Sequence, residues 1–310
     1  MSRSNRNHQR GSAIIIALFV MSIVAAASIA MMSRLSVEIR RTETLLNSSQ
    51  ANLFAQGSVA WAIDKLNNNW RQHNADQLVD KFPMTSPVDT IDGFKIQTSI
   101  LDAQAYFNLN NMTVDKTQYE FLHLLRTLIP QMEMPQATQI TMALHDWVKQ
   151  ASNAGLATYY AGLNPGYKAP HRPMVSPSEL RLVRGMTPDI YNKLIPYMIA
   201  LPITTGINVN TAPPQVLISL SPIMSTGTAQ ALTNVRRQTP FLDAQKFLAQ
   251  DSVKDQHIEP TKVVVISNYF LVKTQVSIGQ QQTILYTLLT RTTEGTKSQV
   301  SVLWQLKGTL

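Results

Sequence analysis

The chain has 310 residues, 44% hydrophobic and 15% charged, with a formal net charge of +8 and no cysteine. This length suits two domains or one large elaborated one. The lack of cysteine excludes disulfides, thiolate metal sites and cysteine nucleophiles, and so modest a positive excess does not require a nucleic-acid partner.

The first element is an uncharged apolar run from Ala13 to Met32, preceded by Arg3, Arg6, Arg10, Gly11 and Ser12. Roughly 20 apolar residues carry a helix across a ~30 Å hydrocarbon core. Ser22 and Ser28 are tolerated because a hydroxyl can bond back to a carbonyl one turn earlier. The three arginines place the N-terminal end in the cytoplasm and the rest of the chain outside it. A leader clipped at Gly11 would be removed ahead of the apolar run, whereas a secretory signal is cut after it. The alternative is a signal peptide removed after Ala27 or Ala30. The run is longer than the ~7–15 residues of a signal core, which disfavours that reading. Clipping the leader takes three positive charges from the +8 and leaves +5.

Helical spacing continues through Leu35, Ile39, Leu46, Leu53, Ala60 and Leu66, and no Pro occurs before Pro83. One helix is therefore expected to run from the membrane into a soluble part, with Gly57 as a soft spot. The stretch holding Phe82-Pro83 and Ser86-Pro87 reads as a loop. Phe94, Ile96, Thr98 and Ile100 alternate with polar residues and predict a half-buried strand. Leu101 to Asn111 ends in Asn-rich turn chemistry.

From Thr113 to about Gln256 the signals are helical. Helices are expected over Thr117 to Ile129 and Gln136 to Val148. Asn153 to Val175 reads as the longest irregular stretch, and long loops are often functional. Short helices follow, one capped by Ser178, one opening at Thr187-Pro188 and one at Thr211-Ala212-Pro213-Pro214. Ser225 to Arg237 and Asp243 to Leu248 are further helices. Lys262 to Ile266, Tyr269 to Ile278, Thr283 to Thr293 and Ser298 to Leu306 read as strands of an antiparallel meander, broken at Gly279 and Gly295. The early strand is expected to pair with these, so that the helical block interrupts one α+β fold.

The order of elements and four strings resemble the type II secretion minor pseudopilin K (GspK-like) family over nearly the whole chain. The strings are Arg10-Gly11-Ser12, Phe107-Asn108-Leu109-Asn110-Asn111, Ser178 to Thr187, and Ile207-Asn208-Val209-Asn210-Thr211-Ala212-Pro213. The resemblance implies an α+β fold: a long N-terminal helix and a pseudopilin antiparallel sheet interrupted by a large all-helical, helix-hairpin-helix or SAM-like insert. The expected boundaries are a leader over 1–11, a transmembrane helix over 12–32 and its periplasmic continuation over 33–72. The sheet domain takes 73–112 and 259–310, with the insert at 113–258.

The resemblance also implies cleavage after Gly11 by prepilin peptidase and N-methylation of Ser12, the new N-terminus. It implies an inner-membrane protein with its bulk in the periplasm, at the tip of the pseudopilus, helping to initiate pseudopilus assembly. Its partners would be minor pseudopilins I and J, with H as a further candidate. Ile14, Ile15, Ile16, Leu18 and Phe19 would pack within the filament, and Arg40, Leu46, Leu53 and Phe54 are candidates for partner contact. Most pilins carry Glu at the fifth mature position, which here is Ile16. An unpaired carboxylate in the bilayer is costly, and a first subunit has no preceding neighbour to pair with it.

Family members typically bind calcium through acidic residues after an Asp-Trp pair. Here Asp146-Trp147 is followed by Lys149, Gln150, Leu156, Ala157 and Thr158 where the pattern has carboxylates. Calcium takes six to eight oxygen ligands, so Asp146 alone is insufficient and the site is expected to be lost, leaving no cofactor.

The rival reading is a membrane-anchored nucleic-acid receptor. Leu182 to Thr187 and Ser225 to Thr228 loosely match helix-hairpin-helix turns, with Arg181, Arg184, Arg236 and Arg237 nearby. The second glycine of each turn is missing, and a packing role is favoured, with no nucleic-acid partner. No Gly-x-Ser-x-Gly elbow, P-loop or His-Glu-x-x-His motif is present, and His145-Asp146 are adjacent on a helix and do not face one another, so the chain is not read as an enzyme. Trp147, Tyr159 and Tyr160 are either a recognition surface or, for Trp147 above all, core.

Overall fold

A computed structural model of the chain describes residues 8–73, 82–150, 154–294 and 297–308. It divides into two units, residues 1–53 and residues 54–310. The expected break at Gly295 and the residues of the leader before His8 lie outside the described residues.

Helix α1 is His8–His73. Over residues 13–46 every side chain is exposed. The two serines of the apolar run are satisfied as their chemistry requires: Ser22 Oγ donates to the Phe19 carbonyl at 2.7 Å and Ser28 Oγ to that of Val24 at 2.8 Å. Further along, Ala55, Val59, Ala62 and Leu66 are buried, a stripe at helical spacing. The Phe54 ring lies 5.2 Å from that of Phe94.

Strands β1 (Met84–Thr85) and β2 (Asp89–Ile91) follow, then β3 (Phe94–Asp102). Both short strands pair antiparallel with β3, so the stretch expected as a loop contributes to the sheet. Local pairing explains it: Asp92 and Gly93 both take positive φ, which suits a tight hairpin, and the Ser86 amide donates to the Thr98 carbonyl at 2.8 Å.

After β4 (Phe107–Asn108) come α2 (Thr117–Leu128), α3 (Met134–Val148) and α4 (Ala154–Ala161). Helix α4 corrects the expectation of an irregular stretch there. Its short Gly- and Ala-rich sequence has little periodicity, but it buries Leu156 and Tyr160 in the core. A 3-10 turn over Pro177–Leu182 is capped by Ser176, not by Ser178 as expected. Ser176 and Glu179 form a capping box around Pro177, and Pro at the first helical position moves the cap two residues earlier. Then come α5 (Pro188–Leu194), capped by Thr187, and β5 (Met198–Ile199).

The second stretch runs β6 (Ile207–Asn208), α6 (Pro214–Leu217), α7 (Thr226–Gln238), capped by Ser225, α8 (Ala244–Leu248), capped by Asp243, and β7 (Val263–Val264). Strand β4 pairs parallel with β5, and β6 pairs parallel with β7. The interrupting block, mainly helical, thus also carries the short strands β5 and β6. The segment around Val263 leaves the meander to which its composition assigned it, because β6 is its partner.

The meander consists of β8 (Tyr269–Ile278), β9 (Gln281–Glu294) and β10 (Lys297–Lys307). Gly279, at φ 55°, makes the turn between Ile278 and Gln281. Strand β3 pairs antiparallel with β8 from Lys95↔Ser277 to Asp102↔Phe270. The main path of the sheet is β1-β3-β8-β9-β10, and the helical block sits between two hydrogen-bonded neighbours, as expected.

One hydrophobic core fills the block, with Phe121, Leu124, Ile140, Leu144, Leu194, Val209, Val216 and Leu217 among its members. A smaller cluster of Ala103, Ile199, Leu201, Leu271 and Leu288 ties the block to the sheet.

Candidate assembly surfaces and interior locks

The apolar residues assigned to filament packing stand out from α1. Ile14, Ile15, Ile16, Leu18 and Phe19 are all more than half exposed. The helix over residues 13–68 is long and apolar enough to cross a membrane by length and composition. Gly11 and Ser12 lie within the helical backbone of α1. Of the candidate partner contacts, Arg40, Leu46 and Leu53 are exposed, whereas Phe54 is half-buried against Phe94.

The two Asn-x-Asn strings are not surface features. They do the same job twice. Asn108 Oδ1 accepts from the Asn110 amide at 3.1 Å, and Asn208 Oδ1 from the Asn210 amide at 3.0 Å. Each first Asn thus caps the turn after a two-residue strand. Each second Asn grips the backbone N–H and C=O of one distant residue, and Asn110 Nδ2 also donates to the Leu201 carbonyl at 2.7 Å. Asn110 donates to the Met174 carbonyl at 2.9 Å and accepts from the Met174 amide at 2.7 Å. Asn210 does the same to Phe241, at 2.9 and 3.0 Å. Met174 precedes the Ser176 cap by two residues, and Phe241 precedes the Asp243 cap by two.

A polar node joins the second repeat to the sheet. Asp102, at the end of β3, is buried. Its Oδ2 accepts from Thr211 Oγ1 at 2.5 Å, Ser267 Oγ at 2.8 Å and Asn208 Nδ2 at 3.0 Å. Its Oδ1 accepts from the Gln104 amide at 2.9 Å. Asp102 carries no local sequence signal, because the three side-chain donors lie 106, 109 and 165 residues further along.

Among the described residues no group of three or more His, Asp or Glu side chains could hold a metal ion. Asp146 is buried on α3, and its carbonyl oxygen faces His171 Nδ1 at 3.0 Å. Residues 151–153 of the candidate calcium segment lie outside the described residues. Trp147 and Tyr160 are core side chains with ring centroids 5.6 Å apart, and Tyr159 sits at the surface. Nearby, the Asp115 carboxylate is bound by Lys149 Nζ at 2.8 Å, which holds its pKa below the ordinary range.

The turn at Leu182 to Thr187 has Gly185 at φ 86°. Its arginines are already engaged: Arg181 lies 4.3 Å over the Tyr191 ring and Arg184 4.5 Å over that of Tyr159. Arg236 is buried and donates to the Val209 and Ala212 carbonyls at 2.8 and 2.6 Å. These contacts favour a packing role over phosphate recognition.

A long apolar helix that leads into an antiparallel sheet, with a twice-repeated helical block between two sheet neighbours, defines the class. Two family models described as type II secretion system (T2SS), protein K, match residues 105–203 and 207–266. Each span opens just before one of the two Asn-x-Asn strings. The type II secretion system protein K of Aeromonas hydrophila is 30% identical over 67% of this chain and 68% of that protein. Those of Klebsiella pneumoniae and Pseudomonas aeruginosa are each 29% identical, over 90% and 94% of this chain and 93% and 91% of theirs. A chain in the crystal structure of the GspK-GspI-GspJ complex from enterotoxigenic Escherichia coli has the same fold, with a TM-score of 0.72 and 23% identity, over 87% of this chain and 100% of that one. The chain belongs to the type II secretion system protein K family.

Proposed function

We propose that this protein is a minor pseudopilin at the tip of the type II secretion pseudopilus, where it helps to initiate assembly. The observation that carries the reading is the exposed apolar face of α1. The uncharged apolar residues from Ala13 to Met32 are exposed throughout. Such a surface needs lipid first and neighbouring helices afterwards. Family membership supports the system, and the fold shared with a chain of the GspK-GspI-GspJ complex supports proteins I and J as partners.

On this reading prepilin peptidase cuts after Gly11 and Ser12 is N-methylated. The Arg-flanked end faces the cytoplasm, and the bulk of the chain lies in the periplasm, anchored in the inner membrane. Ile16 removes the need for a preceding subunit. Protein H is a further partner by the same reasoning. The work is helix packing and apolar burial, not chemistry on a substrate, and calcium is not required.

Co-expression of the full chain with proteins I and J from the same cell tests this, by size-exclusion chromatography with light scattering in detergent. A stable one-to-one-to-one peak is expected. Separate elution of three folded proteins overturns the proposal.

A further inference from the structure

Four aromatic rings meet where α3, α4 and the irregular stretch before the Ser176 cap come together. Trp147 is on α3, Tyr159 and Tyr160 are on α4, and Tyr167 is in the irregular stretch. The Trp147 ring stands edge-on to Tyr160, with centroids 5.6 Å apart, and to Tyr167, at 6.3 Å. Tyr160 in turn lies 5.3 Å from both Tyr159 and Tyr167. Two phenol oxygens reach the backbone of the next turn. Tyr167 Oη donates to the Leu182 carbonyl at 2.7 Å, and Tyr160 Oη accepts from the Arg184 amide at 3.0 Å. Arg184 also lays its guanidinium 4.5 Å over the Tyr159 ring. Ring pairs and a cation over a ring attract beyond the area they bury.

The charges around this cluster disfavour a divalent cation. From His145 to Arg184 there are five Lys and Arg residues against two carboxylates, Asp146 and Glu179. Glu179 is committed. Its Oε1 accepts from the Val175 and Ser176 amides at 2.7 and 3.3 Å, and its Oε2 faces Trp147 Nε1 at 3.5 Å. The Asp146 carbonyl oxygen faces His171 Nδ1 at 3.0 Å. Asp115, beside the C-terminal end of α3, already takes the Lys149 ammonium at 2.8 Å and lies 3.3 Å from His145 Nε2. Calcium takes six to eight oxygens and gains affinity with the number of carboxylates, while neighbouring cations repel it. The residues present do not fit it.

We propose that the stretch from Ala154 to Val175 is held by this aromatic cluster and the Arg184 cation in place of a metal ion. Trp147 fixes the cluster to α3. Tyr159 and Tyr160 bring in α4, and Tyr167 brings in the irregular stretch. Leu182 and Arg184 attach the turn that follows the Ser176 cap. The positive charge in the cluster belongs to the chain itself, so the fastening takes nothing from solution and a chelator cannot undo it. This inference deepens the reading that calcium is not required, and it does not depend on the tip position or on proteins I and J.

The test uses the full chain in detergent. Amide hydrogen exchange across residues 154–175, read by mass spectrometry, should be the same in millimolar calcium and in excess chelator, and so should the melting temperature. Tyr160→Leu removes three ring contacts and should speed exchange across this stretch by about tenfold, with or without calcium. Arg184→Gln, at a half-buried position, keeps the backbone bond to Tyr160 and loses the cation over Tyr159. It serves where Tyr160→Leu does not fold, and should speed exchange by about threefold. Slower exchange or a higher melting temperature of the wild-type chain in calcium overturns the proposal. So does restoration of either variant by calcium, or unchanged exchange in Arg184→Gln. None of these readouts involves assembly, so a failure here leaves the tip reading to its own test by co-elution with proteins I and J.

Discussion

Asn210 holds Phe241 by both sides of its backbone. Its Nδ2 donates to the Phe241 carbonyl at 2.9 Å, and its Oδ1 accepts from the Phe241 amide at 3.0 Å. Both residues are buried, which shields these hydrogen bonds from bulk water. Asn210→Ala leaves a buried N–H and a buried C=O without partners, at about 1–3 kcal/mol each. Denaturant unfolding of the variant should show a loss of about 2–6 kcal/mol. Asn110→Ala, which strips Met174 in the same way and also leaves the Leu201 carbonyl without its Asn110 donor, should cost at least as much. A loss under about 0.5 kcal/mol in either would show that the clamps do not hold the block together.

Glu120 and Lys262 form an ion pair between α2 and the turn before β7. Burial nevertheless pushes the Glu120 carboxyl above its ordinary pKa, outweighing the lysine. With the folded value raised, the folded state binds the extra proton, so this group's contribution to stability falls as pH rises from the ordinary carboxyl value through the raised one. Glu120→Gln removes that slope. The difference in stability, variant minus wild type, should therefore grow from about pH 4 to about pH 7 in thermal melts. A difference that shrinks over this range would mean that the ion pair, not burial, dominates.

Two glycines should respond in opposite directions to a methyl group. Gly57 lies in the interior of α1, and a Cβ at that position would have nothing within 4 Å. Gly57→Ala should stabilise by about 0.5–1 kcal/mol. Gly185 sits at φ 86°, and a Cβ there would lie 2.9 Å from Ile140 Cγ1. Gly185→Ala should destabilise by about 1–2 kcal/mol from backbone strain alone. Melting temperatures of the two variants, measured side by side, check both signs.

The long strands and the capped helices were legible in the sequence because their signals are local. Period-two alternation marks β3, and Thr187-Pro188, Ser225 and Asp243 announce the helices they cap. Tertiary requirements were not legible. Strand β7 is two residues long and exists because β6 lies beside it. The Asn-x-Asn strings were visible as recurring motifs, but their role depends on Met174 and Phe241, which lie 64 and 31 residues further along. The apolar run from Ala13 to Met32 was legible as a helix long enough to cross a membrane, because an uncharged run of that length has few alternatives.

Processing offers a test that is independent of stability. A protease tuned to a small residue before its cut site should fail on Gly11→Val. The intact mass of the membrane-extracted chain should then retain the leader, whereas the wild-type chain should lose residues 1–11 and gain a methyl group on Ser12. A wild-type mass that retains the leader would remove the basis for assigning Gly11.

The pairing of Asp102 with Phe270 sets a timetable for folding. Strand β3 leaves the ribosome well before β8, with residues 103–269 between them. Closing so large a loop is slow compared with forming contacts between near neighbours. During that wait β1 and β2, made just before β3, can fold back on one of its edges and shield it. The other edge stays open until the helical block has been delivered. The sheet is thus the last part to close, and its completion reports that the whole chain has arrived.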